Sequence, residues 1–314
     1  MILSKRFENC YILSIIGDKL SYFNGLPYIK NDNNFKKKMI SLKYKKLNSI
    51  NIKKWIPSYC SRLKDILFNI LKNNNNLSLP KLLLLYKENI NKENFLISKI
   101  RYIDLDIDEP NNTQIIFNWF YNINNIQKIF KYKKINEPSD ENIQIGILIG
   151  LIYPKEKYDK DREIISIKLA KVTHSHPYNY LSILTLANII SYTIIHDYNI
   201  INGLLSSKDY LNNKYKCNNK IELAFVKAYN NYINSLLNLK KNIINIKYHS
   251  SKKKTALTTL QFAITSYLDS PDNWKMILAN ACIQRDTNPN TGAIACSFYG
   301  LINGLKNVHP NMLN

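Results

Sequence analysis

The sequence predicts an all-α protein folded as a single domain. Apolar residues recur at helical spacing in nearly every segment, strand-like alternation is confined to one stretch, and only 8 Gly and 10 Pro punctuate 314 residues. Residues 5–23 carry the first periodic run. After a Lys/Asn-rich stretch at 30–54, LKDILFNILK (63–72) places its apolar residues at 63, 66, 67, 70 and 71, on one helix face. LPKLLLLYKENI (79–90) reads as a helix with Pro80 suited to its first turn, and 113–131 as an aromatic-rich one. Further helices are read at 162–174, 180–195, 221–239, 255–268, 273–283 and 291–304. IQIGILIGLIY (143–153) fits either a strand or a buried helix. The stretches 30–54 and 209–220 read as polar insertions, so one domain spans 1–314.

Composition narrows the function classes. With 44 Lys+Arg against 23 Asp+Glu the net charge is +21, and 45% of residues are hydrophobic. That apolar content excludes a disordered chain, and the low Gly and Pro content excludes collagen-like or fibrous ones. A chain of this size folds with about three-quarters of its surface buried, so it needs no disulfide scaffold. Cys10, Cys60, Cys217, Cys282 and Cys296 are scattered and odd in number. They fit neither a zinc ribbon nor a secreted framework and point to a reducing compartment, the cytoplasm by default with an organelle left open. The N-terminus lacks a signal or transit pattern, and no run of 18 uncharged apolar residues predicts a membrane span. The charge has two readings, an RNA-contacting surface or a solvated basic surface. Over-use of Asn, Lys, Ile and Tyr in loops and periodic segments alike, as from AT-rich coding, favours the second.

Four constellations carry chemical potential. Gly17-Asp18 lies within the first helix, and Thr173-His174-Ser175-His176-Pro177 stands between two helices. Paired histidines on a loop can ligate a metal, orient a phosphate or bond a ribose; a Pro-terminated helix break is the plainer account. Asp286, Thr287, Asn288, Asn290 and Thr291 precede the small residues Gly292, Ala293, Ala295 and Cys296. A closely packed helix there would offer its N-terminal N–H groups to an anion, and the same residues suit ordinary N-capping. Asp104, Asp106, Asp108 and Glu109 form an acidic loop without the turn glycine of an EF-hand, read as solvated.

In this order, the motifs resemble the ADP-ribosylglycohydrolase family. SIIGDKL matches its opening G-D-A helix with Lys19 at the small residue. THSHPYNYLSILTLANIIS matches its T-H-x-H-P before an Ala-rich helix, and QRDTNPNTGAIACSFYGLINGLKNVHP its closing G-G-D-T-D-T-x-A-A-I-A-G and terminal Pro. The resemblance implies a compact, orthogonal all-α bundle around a binuclear Mg²⁺ site, with carboxylates from an early S/T-D-D loop and a late D-x-D loop. Such metals position ribose hydroxyls and activate water. It also implies ligand-binding roles for Gly17, Asp18, His174, His176, Thr287 and Gly292.

The departures concern the metal. At the early loop Ser58 keeps the family's serine, but Tyr59 and Cys60 hold the aspartate positions and Arg62 adds a cation. At the late loop Asp286 and Asn288 remain as residual ligands, with one inserted residue before the helix. Asn111-Asn112-Thr113-Gln114 resembles D-D-T-Q with both acids amidated, and lies too close to His174. The expectation is therefore a degenerate family member with an eroded metal site and no cofactor, in which no residue is assigned as catalytic. It would bind ADP-ribose or another nucleotide, or serve as a structural subunit with a protein partner. The alternatives are an active Mg²⁺-dependent hydrolase with an atypical site and a basic RNA-contacting subunit.

Overall fold

A computed structural model describes residues 4–22, 52, 53, 55, 57–74, separate positions within 78–89, 137–140, 142–239, 255–283 and 288–313. Among these every element is helical. The first half contributes α1 (Lys5–Tyr22), α2 (Tyr59–Asn73), α3 (Ile145–Ile152), α4 (Asp159–Thr173) and α5 (Pro177–Ile195). There follow α6 (Ile200–Asp209), α7 (Lys220–Leu239), α8 (Ala256–Leu268), α9 (Trp274–Leu278), α10 (Pro289–Asn303) and α11 (Pro310–Leu313). Wider turns, Tyr210–Lys214 and Ala279–Ile283, extend α6 and α9.

The all-α expectation holds, and the ambiguous 143–153 stretch is the buried helix α3. Its pattern is apolar on every side because every residue from Ile145 to Leu151 is buried. Helix α5 forms the centre. His176 caps it, Pro177 occupies its first turn, and its side chains are buried from Tyr180 through Thr193. Among the described residues it is the one helix long and apolar enough to cross a bilayer, yet 83% of that stretch is packed inside the protein. Gly146 and Gly150, one turn apart on α3, bring the two helices close. A Cβ at either would lie 2.7 Å from Ile183 O or 2.5 Å from Ala187 O.

Helix α1 crosses α10 in the same manner. A Cβ on Gly17 would stand 2.2 Å from Gly292 O, and one on Gly300 would stand 2.5 Å from Asn9 O. Both contacts are eight residues apart on each helix and in opposite order, so the pair runs antiparallel. The expected polar insertion at 209–220 is corrected in part, because Tyr210, Leu211 and Tyr215 belong to the core. Their side chains are interleaved with Asn and Lys, which hides them from a composition reading. Helix α6 was not foreseen either; Asn199 starts it by accepting the Ile201 and Asn202 N–H groups. The insertion at 30–54 and the helix read at 113–131 lie almost wholly outside the described residues.

Candidate functional site

Asp18 is the centre around which the predicted motifs gather. It is fully buried on α1, and Ser58, immediately before α2, closes on it twice. The Ser58 backbone N–H donates to Oδ2 at 2.7 Å, and its hydroxyl donates to Oδ1 at 2.5 Å. Gln144 Nε2, at the start of α3, adds a third donor to Oδ1 at 2.9 Å. Burial raises the Asp18 pKa, against the opposing pull of Ser58, the Lys64 charge and Gln144. Ser58 also caps α2 by accepting the Ser61 N–H at 3.4 Å, so one side chain starts a helix and anchors the carboxylate.

From Gln144 the network continues to the late motif. Its Nε2 also donates to Asn290 Oδ1 at 2.8 Å, and Asn290 Nδ2 donates to the Asp140 carbonyl at 2.8 Å. Asp140 Oδ2 accepts from Thr259 Oγ1 of α8 at 2.7 Å and from Asn288 Nδ2. Asn288 Oδ1 caps α10, accepting from Thr291 N at 2.8 Å and Thr291 Oγ1 at 3.0 Å. The central motif joins through the same turn: Asn142 Nδ2 and His174 Nδ1 are 3.4 Å apart, and Ser139 N donates to Asn179 Oδ1 at 3.1 Å. Ser139, Asp140, Asn142 and Gln144 thus tie together α1, α5, α8 and α10 and the end of α4, and α2 joins through the bonds of Ser58 to Asp18. Loops far apart in sequence converge on one polar centre.

Asp18, Ser58, His174 and Asn288 belong to this centre. His176 is half-buried and accepts the Tyr178 N–H on Nδ1 at 3.2 Å, as the cap of α5. Gly17 and Gly292 face each other across the α1–α10 crossing and serve close packing, with no room for a Cβ on either. Tyr59 and Cys60 open α2, and Arg62 is half-buried one turn on, where its charge acts on Asp65. Asp286 and Thr287 lie outside the described residues, as do the acidic loop 104–109 and the stretch 111–114.

Sequence reasoning placed Asn290 in the late polar loop but missed Gln144, Asp140 and Asn142, and with them the fully buried Lys64. A signal was present for three of these: Asp140, Asn142 and Gln144 alternate at i, i+2 directly before an apolar run. Polar residues in that position are poorly explained as a solvated loop, because the backbone that follows is about to enter the core.

The sequence profile of the ADP-ribosylglycohydrolase family matches residues 143–314, more than half of the chain. The chain belongs to that family. No match is found among curated proteins. The matched region begins at the 139–144 hub and contains α3, the His174 turn and α10, while Asp18 and Ser58 reach the site from outside it.

Proposed function

We propose that this chain is a non-hydrolytic member of the glycohydrolase family, which binds ADP-ribose or a related nucleotide without cleaving it. The carrying observation is that both Asp18 oxygens are engaged by Ser58 and Gln144 in a fully buried setting. Mg²⁺ takes near-octahedral oxygen coordination and keeps several waters. A carboxylate whose oxygens already accept three hydrogen bonds, away from water, is a poor ligand for it. Asn288 is a poor one too, since its carbonyl oxygen is held by the α10 cap. Among the described residues no three of His, Cys, Asp and Glu gather where they could hold a metal ion. These described donors do not fit a binuclear centre. When metals are bound in a site of this kind, they orient the sugar hydroxyls and activate water.

What the chain does offer a ligand is the edge of the buried centre: Asp140 and Asn288, joined to each other, are both half-buried, and the family points to an ADP-ribose-related ligand. A carboxylate and a neutral amide suit the hydroxyls of a ribose. The test is calorimetry of the full chain with ADP-ribose, with and without Mg²⁺ or Mn²⁺, beside an assay for ADP-ribose released from an ADP-ribosylated protein. Metal-independent binding without release is expected. Two-site metal binding together with turnover would overturn the reading.

A further inference from the structure

The interface between α1 and α2 is built from charge to a degree that a helical core seldom is. Two adjacent acid–base pairs face each other across it, Asp18-Lys19 on α1 and Lys64-Asp65 on α2. Lys64 is fully buried, and its ammonium donates to Ser14 Oγ at 2.6 Å. Ser14 stands one helical turn before Asp18, on the same face of α1. The ammonium lies 5.5 Å from the centre of the Tyr11 ring, and the Tyr11 hydroxyl donates to Asp65 Oδ1 at 2.5 Å. Burial lowers the pKa of Lys64 and of Lys19, and the charges of Asp65 and Asp18 oppose that shift at each.

A lysine is almost never fully buried without a partner, because removing an ammonium from water is costly. A serine hydroxyl and an aromatic face do not neutralise it; the counter-charges that act on it are those of Asp65 and Asp18, at longer range than a direct ion pair. We propose that Lys64 is the buried resident cation of this site: its ammonium and that of Lys19, supplied by the chain itself, balance Asp18 and Asp65 and so leave no net negative charge to recruit a divalent ion. The inference deepens the non-hydrolytic reading above and rests on it for its functional meaning. It also moves the decisive positive charge from Arg62, which the sequence suggests, to a residue two positions further into α2. Arg62 retains some exposure, whereas Lys64 has none.

A double-mutant cycle on the full chain tests it, with Lys64→Met, Asp18→Asn and the pair combined. Removing one partner leaves the other charge buried and uncompensated, so each single variant should lose about 5–10 °C in thermal midpoint. The double variant should recover a large part of the summed loss. Losses that simply add would overturn the proposal. If Lys64→Met does not fold alone, a folded double variant supports the pairing, and an unfolded one overturns it. In a second measurement, Mn²⁺ should raise the midpoint of Lys64→Met and leave that of the parent unchanged; equal responses would overturn the exclusion of metal. Turnover by the parent with the coupling intact would sink the non-hydrolytic reading alone. Additive losses without turnover would sink the role of Lys64 alone.

Discussion

Gly17 and Asp18 are neighbours in sequence and belong to two opposite ways of building an interface. Toward α10, helix α1 presents Asn9, Gly17 and Ser21, a row at helical spacing whose small members let two backbones touch. Toward α2 it presents Tyr11, Ser14 and Asp18, whose polar atoms meet Asp65, Lys64 and Ser58. The first interface depends on the absence of a side chain, and the second on charges that must be balanced. Steric contact tolerates almost no added atom. A balanced charge cluster tolerates removal of a pair better than removal of one member.

The largest effect should therefore come from the packing side. Gly17→Ala would place its Cβ against the Gly292 carbonyl and beside Cys296 Sγ, at 2.2 and 2.8 Å, and the carbonyl belongs to a helix backbone that cannot rotate away. Chemical denaturation should show a loss of about 3 kcal/mol, at the upper end for overpacking. A variant as stable as the parent would mean that the α1–α10 crossing is looser than the structure has it. On the polar side, Ser58→Ala removes one of three donors to a buried carboxylate and the cap of α2. A loss of about 2 kcal/mol is expected, with Ser58→Thr recovering most of it. If Ser58→Thr fares no better than alanine, the hydroxyl is not what holds Asp18.

The same comparison explains what was legible in the sequence. Periodicity marks α1, α5 and α10 because each buries a wide face, and motif order brings Asp18, Ser58, His174 and Asn288 to one place. Gly292 was legible as a point of close approach and Gly17 as part of a motif, but a glycine does not say what approaches it. Here the visitor is another helix. Gln144 and Asp140 were not legible as site residues, because their partners Asp18 and Asn288 lie 126 and 148 positions away. Lys64 was hidden by its surroundings: in a chain with 44 basic residues, one more lysine on an amphipathic helix reads as solvated. Only burial distinguishes it.

The smallest effect lies at the entrance to α5 and depends on pH. His176 caps this helix by accepting the Tyr178 N–H on Nδ1, which requires that nitrogen to be unprotonated. Burial lowers the His176 pKa from its ordinary 6.5 by disfavouring the charged ring. A histidine depressed in the folded state contributes stability that is present above the unfolded pKa and lost as pH falls through the folded one. Acidification from pH 7.5 to 5 should thus cost the cap, about 1 kcal/mol, on top of whatever other groups contribute. Denaturation of the parent and of His176→Asn at both pH values separates the two, since asparagine can cap without titrating. The difference in stability between the two proteins should shift toward the asparagine variant by about 1 kcal/mol at pH 5. A difference that stays constant across that range would show that the Nδ1 contact contributes nothing to α5. The start of the central helix would then be held by Pro177 and the packing around it, as the α1–α10 crossing is held, and not by a polar contact.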